Sequence, residues 1–192
     1  MPDAHAAVPA AIVIAGGRGT RMGGIDKPGL ELDGATLRER AIGAARAAGL
    51  EPIVHLGPEV DGGPVPALAA GLAGLGSEEV VVLAGDLVRP DLVIAALVGP
   101  QRTAPEGAGA DGGGADGAVL VDPDGREQWL AARYRVAALR TALDALPGGT
   151  RDAALRAVTR GLDLRRVLVD AAVVADIDTW QDYETAKGQV DG

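Results

Sequence analysis

The sequence predicts an α/β protein of one domain, a three-layer α/β/α sandwich around a mostly parallel sheet. Continuous apolar runs recur at residues 11–15 (AIVIA) and 79–84 (EVVVLA), with a further strand expected between them at 52–56 (PIVHL). Runs without polar alternation are what strands buried on both faces require. Segments of helical period separate these three strands, and glycine-rich loops follow the first two in chain order. The order strand, loop, helix, strand is the start of a parallel crossover.

The first run opens into GGRGTRMGGIDKP, which carries Gly16, Gly17, Gly19, Gly23 and Gly24 with Arg18, Arg21 and Lys27 spaced among them. Glycines bring the backbone close to a ligand without a Cβ in the way, and exposed amides with three cations form a nest for an anion. Phosphate matches both the amides and the guanidinium forks. The loop is not a Walker A, because Lys27 is followed by Pro28 where a magnesium-binding hydroxyl is needed. Nor is it the dinucleotide fingerprint GxGxxG, since Met22 stands at the third glycine. Only Lys27 and Lys187 among 18 basic residues are lysine. A compact ammonium at Lys27 therefore looks selected, as the ion that fits between phosphates.

Further along, residues 29–34 (GLELDG) read as a short extended segment ending in a turn at Asp33-Gly34. Thr36 and Glu39 have capping-box spacing and open a helix with Leu37, Ala41, Ile42, Ala45 and Ala48 on one face, stopped by Gly49. The loop GPEVDGGP after His55 lies at the same carboxyl edge of the sheet as the first loop, where ligands of open α/β folds bind. A helix entry with proline in its first turn follows at residues 63–72. The run EVVVLAGD ends on Asp86, a carboxylate beyond a buried strand and hence a candidate cation ligand, with the next helix starting near Pro90-Asp91. Residues 101–116, rich in Gly and Ala, read as a mobile loop, and residues 1–9 as a flexible N-terminus. Beyond them come a strand at 117–122, the segment QWLAARYR from Gln128, helical stretches at 136–145 and 151–161, and strands near 166–169 and 173–175. Asp176 and Asp178 are read as facing opposite sides of an extended segment, so that only one of them is expected to face a shared metal. Asp178 also has Gln181 at the capping-box position, which leaves Asp176 as the expected ligand.

Composition narrows the chemistry. The 192 residues carry a formal charge of −9, which opposes non-specific binding to nucleic acid or an anionic membrane. There is no cysteine, only His5 and His55, and Ser77 as the one serine outside any GxSxG elbow. Disulfides, thiolate sites, multi-histidine metals and serine hydrolysis are excluded, and any metal must sit on carboxylates, which points to Mg²⁺. Phe is absent, so Ala, Val, Leu and Ile must fill the core. No signal-peptide pattern or membrane-spanning run of about 18 residues is present, and the composition is compatible with a reducing cytoplasm.

The loop GGxGxRMG…DKP resembles that of nucleotidyltransferases that move NMP from an NTP onto a phosphate, and is similar to the molybdenum cofactor guanylyltransferase family. Gly63, Pro64 and Leu68 match its GPLAGL segment, Gln128, Leu130 and Tyr134 its Q-P-L-x-A-x-Y segment, and Asp176, Asp178 and Thr179 its D-x-D-T-P-E-D close. Trp129 and Trp180 replace prolines of these motifs, Ala67 replaces a glycine, and residues 87–89 separate Asp86 from Pro90.

The resemblance implies a Rossmann-like sheet of the nucleotide-diphospho-sugar transferase type, and transfer of GMP from GTP to the phosphate of molybdopterin with release of pyrophosphate. It implies Lys27, Arg21 and Arg18 as catalytic. Ile14, Ala15, Gly16, Gly17, Gly19, Lys27, His55, Asp61 and Asp86 would bind the nucleotide, and Asp86 and Asp176 would hold Mg²⁺. His55 and Asp61 stand where the family reads guanine, and an aspartate can accept from the guanine N1–H and 2-amino group. The segment from Gln128 would line the acceptor side. A molybdoenzyme or its chaperone is a conceivable protein partner. The alternatives are a molybdopterin cytidylyltransferase, a sugar-phosphate nucleotidylyltransferase, or a non-catalytic nucleotide-binding module of the same fold.

Overall fold

The computed structural model describes residues 8–16, 24–99 and 116–190. Among them eight strands are β1 (Ala10–Ile14), β2 (Glu31–Leu32), β3 (Ala35–Thr36), β4 (Ile53–Leu56), β5 (Glu79–Ala84), β6 (Gly117–Val121), β7 (Glu127–Arg135) and β8 (Leu164–Leu168). Six of them form one sheet in the order β4-β1-β5-β7-β6-β8. β1 is parallel to β4 and β5, β6 is parallel to β8, and β7 runs antiparallel to both its neighbours. The carboxyl ends of β4, β1 and β5 therefore share one edge. The two-residue strands β2 and β3 form a separate hairpin. Its turn residues Asp33 and Gly34 both have positive φ, 55° and 73°, as a tight primed hairpin turn requires.

Alternation along the buried strands divides the core into two layers. Ala11, Val13, Val81 and Leu83 face α1 (Leu37–Ala47) and α3 (Pro90–Val98). Ile12, Val80 and Val82 face α2 (Pro64–Leu72), α4 (Val136–Asp144) and α5 (Leu155–Thr159). The predicted three-layer sandwich is thus the observed one. Small apolar side chains fill it, and Tyr134 is the one aromatic among its largest fully buried side chains. A smaller cluster of Leu32, Leu37, Val88, Ile177 and Ala186 ties α6 (Trp180–Val190) and the hairpin to the sheet.

Local expectations fare unevenly. The Thr36 capping box is present in both directions: Glu39 N–H donates to Thr36 Oγ1 at 3.1 Å and Thr36 N–H to Glu39 Oε2 at 2.8 Å. α1 ends at Ala47, so Ala48 falls beyond it and is exposed. The predicted helix at 151–161 is a single short turn of helix, Leu155–Thr159, because residues 151–154 are spent on a turn in which Asp152 holds a positive φ of 56°. Residues 173–175 are not a strand but the end of a turn, and only Asp176 forms a bridge, to Leu87. Most of the expected flexible terminus and mobile loop lies outside the described residues. At their borders Pro9 accepts from Glu51 N–H, and Asp116 exchanges hydrogen bonds with Asp163 and accepts from Arg135 N–H. Among the described residues no helix is long and apolar enough to cross a membrane.

Candidate active site

The site is assembled at the carboxyl edge of β4, β1 and β5. Gly85 governs the approach of the last to the first: its N–H donates to Ile14 O at 2.8 Å, and a Cβ on it would stand 2.6 Å from Ala15 Cβ. Only glycine allows the β5 end to lie this close, and the next residue is Asp86. Ile14 and Ala15 are buried, and Ala15 N–H donates to Leu56 O at 2.7 Å. Gly16 lies against the second loop, where a Cβ would come within 3.1 Å of Gly57 O. Gly17, Arg18, Gly19 and Arg21 lie outside the described residues.

Lys27 begins a single 3₁₀ turn, Lys27–Gly29, and its ammonium donates to Asp178 Oδ1 at 2.6 Å. Its side chain is only 13% exposed, because the chain folds Lys27 back onto the closing motif 151 positions away. That geometry also corrects the reading of the two aspartates. Asp176 and Asp178 do not face opposite sides, since both line the same cleft as Asp86. Residues two apart on an extended segment share a face, so Asp176 and Asp178 flank Ile177, whose side chain is buried on the other side in the core. Nor does Asp178 cap α6 with Gln181. Thr179 is the capping residue and Asp182 its partner, accepting from Thr179 N–H at 2.7 Å and Asp178 N–H at 3.1 Å. The Asp178 carboxylate is thereby left for Lys27.

Electrostatics mark the same cluster. Desolvation, then the charge of Asp176, raises the Asp86 carboxyl to about 6, against the pull of a backbone hydrogen bond and Lys27. Asp176 is also raised, first by desolvation and next by Asp178. Crowded carboxylates that hold protons above their ordinary range are poised to accept a cation. Among the described residues no group of three or more His, Cys, Asp or Glu side chains gathers in metal-binding geometry. A pair of hard oxygen donors with raised proton affinity nevertheless fits Mg²⁺, which takes one or two carboxylates and completes its shell with phosphate and water.

From this cluster a cleft of about 970 Å³ runs along residues 122–131 of the β6–β7 hairpin to Arg156 and Arg166. The other expected nucleotide contacts lie toward β4. His55, on that edge strand, is exposed, and Asp61 in the following loop pairs with Arg151 at 2.8 Å, both side chains being more than 60% exposed. An ion pair that open to solvent is weak, so a ligand can displace it.

An α/β sheet with a glycine-lined carboxyl edge, a lysine and converging aspartates is the architecture of a nucleotidyltransferase. Residues 11–167 match the sequence profile of the MobA-like NTP transferase domain, and the chain belongs to that family. No curated protein sequence matches it. The solved homologue of Mycobacterium tuberculosis Rv0371c from Mycobacterium sp. strain JC1 is 24% identical, with a TM-score of 0.67 over 94% of this chain and 96% of that one. Molybdopterin-guanine dinucleotide biosynthesis protein A from Archaeoglobus fulgidus is 18% identical, with a TM-score of 0.60 and coverage of 95% and 98%. The 2-C-methyl-D-erythritol 4-phosphate cytidylyltransferase of Thermus thermophilus is 22% identical, with a TM-score of 0.61 and coverage of 96% and 100%. These likenesses establish a shared fold spanning essentially the whole of each chain.

Proposed function

We propose that this nucleotidyltransferase moves GMP from GTP to the phosphate of molybdopterin and releases pyrophosphate. The observation that carries the reading is the cluster of Lys27, Asp86, Asp176 and Asp178 at the head of a cleft large enough for an acceptor. The acceptor phosphate oxygen attacks the α-phosphorus of the triphosphate, a P–O bond forms, and the bond to the β-phosphate breaks with its electron pair leaving on pyrophosphate. A phosphate nucleophile is already anionic, so no general base is required. Positioning and charge neutralisation supply the rate.

Lys27 keeps two ammonium protons for phosphate oxygens while the third holds Asp178. The first loop, whose glycines are expected to offer backbone amides, would bind the triphosphate beside the close approach of Gly85 to Ala15, and Arg18 and Arg21 would add charge. Asp86 and Asp176 would hold Mg²⁺, which would supply charge neutralisation to the reacting phosphates. Asp61 would read guanine from the second loop after exchanging Arg151 for the base, with His55 beside it. The reading accounts for the anionic cluster as a metal site rather than as a repulsive defect.

Pyrophosphate release measured with molybdopterin and each of the four NTPs tests the assignment. GTP alone should support turnover, and removal of Mg²⁺ should abolish it. Turnover with CTP in place of GTP would replace the guanylyl reading by a cytidylyl one, and turnover only with a sugar phosphate would replace the acceptor.

A further inference from the structure

The ladder between β6 and β7 contains a discontinuity beside the cleft. Val119 pairs with Ala132, but the next β6 residue, Leu120, pairs with Gln128. One residue of β6 therefore spans four of β7, and Trp129, Leu130 and Ala131 have no β6 partner. On the other side, pairing to β5 stops at Ala131, so Trp129 and Leu130 pair with neither neighbour among the described residues. Bulges of this kind re-aim side chains next to functional sites. Here residues 128–131 all line the cleft.

Two hydrogen bonds hold the bulge. The Tyr134 hydroxyl donates to Trp129 O at 2.8 Å, satisfying a carbonyl that the ladder leaves unpaired. Tyr134 is 1% exposed, and burial keeps its hydroxyl protonated far above the usual range, so it remains a donor. The Trp129 indole N–H donates to Glu127 Oε2 at 3.1 Å. With its one polar atom engaged, the half-buried indole has only ring surface to offer the cleft.

We infer that Trp129, turned out of the ladder and braced by Tyr134, is the specificity-determining wall of the acceptor end of the cleft, and that it selects a phosphate-bearing acceptor with a flat, unsaturated body over a polyol phosphate. A planar ring gains stacking against indole, whereas a polyol leaves hydroxyls facing a surface that cannot hydrogen-bond them. Tyr134 is a positioning residue, acting through the Trp129 carbonyl. The inference rests on the transfer reaction proposed above, and concerns the acceptor end alone.

The test combines steady-state kinetics with fluorescence. KM for molybdopterin and for GTP would be measured in the wild type, Tyr134→Phe, Trp129→Leu and Trp129→Phe. Loss of the bracing bond or of the ring should raise acceptor KM about tenfold with GTP KM within about twofold, and Trp129→Phe should retain near-normal acceptor KM. In a Trp180→Phe background, Trp129 is the sole tryptophan. Its emission should be quenched by molybdopterin but not by GTP alone or by myo-inositol 1-phosphate. An unchanged acceptor KM in Trp129→Leu, or equal quenching by the inositol phosphate, overturns the inference. Turnover without quenching overturns it while leaving the transfer reading intact. Quenching by molybdopterin without turnover under any NTP supports the wall and refutes the transfer reading.

Discussion

Asp86 should destabilise the metal-free protein, and the effect can be worked through. Its carboxyl rises from the ordinary 3.8 to about 6 in the folded chain, through desolvation and the neighbouring charge of Asp176. As pH rises the unfolded chain releases this proton first, so the folded state loses stability between about pH 4 and 6 and the loss is complete above that window. At 1.36 kcal/mol per pH unit, a rise of roughly two units is worth at most about 3 kcal/mol. Asp86→Asn keeps the size and removes the charge. In EDTA at about pH 7.5 it should melt higher than the wild type, by about 5–10 °C for a chain of this length, and the gap should close by about pH 4. Millimolar Mg²⁺ should narrow or invert the gap, since a cation held by Asp86 would stabilise the wild type and not the variant. Transfer should collapse in the same variant, so that stability and activity move in opposite directions. Thermal melts across pH, with and without Mg²⁺, measure this directly. A variant less stable than wild type in EDTA at about pH 7.5, or a gap independent of pH, would refute the electrostatic reasoning.

Other outcomes follow from the same geometry. Lys27→Ala should cut kcat about 100-fold or more, and because it removes the ammonium that neutralises a crowded group of carboxylates it should also lower stability by about 1–3 kcal/mol, both read from kinetics and denaturant melts. Lys27→Arg should not restore turnover, since a planar fork replaces a point charge at a 2.6 Å contact. Gly85→Ala drives a methyl into Ala15, costs about 1–3 kcal/mol and displaces Asp86, so Tm and kcat should fall together. Thr36→Ala removes one side of a capping box remote from the chemistry, lowering stability by about 1 kcal/mol while kcat is retained.

What the sequence determined by itself is what depends on short-range pattern. Continuous apolar runs required strands buried on both faces, and a capping box and the Asp33-Gly34 turn set their own local geometry. The same is true of Asp86: a carboxylate just past a buried strand is at the sheet's edge wherever the rest of the chain goes. The two-layered core was legible in the alternation of Ile12 and Val13, or Val82 and Leu83, because period and pleat are the same fact.

The tertiary structure alone decided which groups meet. Lys27 and Asp178 are 151 residues apart, and no local rule states that the ammonium of the first loop turns inward to the closing motif. The period of two already puts Asp176 and Asp178 on one side of an extended segment with Ile177 on the other, but only the packing of Ile177 into the core and the bridge of Asp176 to Leu87 set that side against the cleft of Asp86. Thr179 and Asp182 took the cap assigned to Asp178, a competition that spacing alone could not resolve. The bulge at Trp129 was hidden for a further reason. No residue of QWLAARYR marks a break by itself, and only the unequal advance of β6 and β7, with Tyr134 reaching back to a carbonyl five residues earlier, turns its middle out of the ladder. Short-range pattern fixes what each segment is, and long-range packing sets which charges share a low-dielectric space and which side chains a cleft receives.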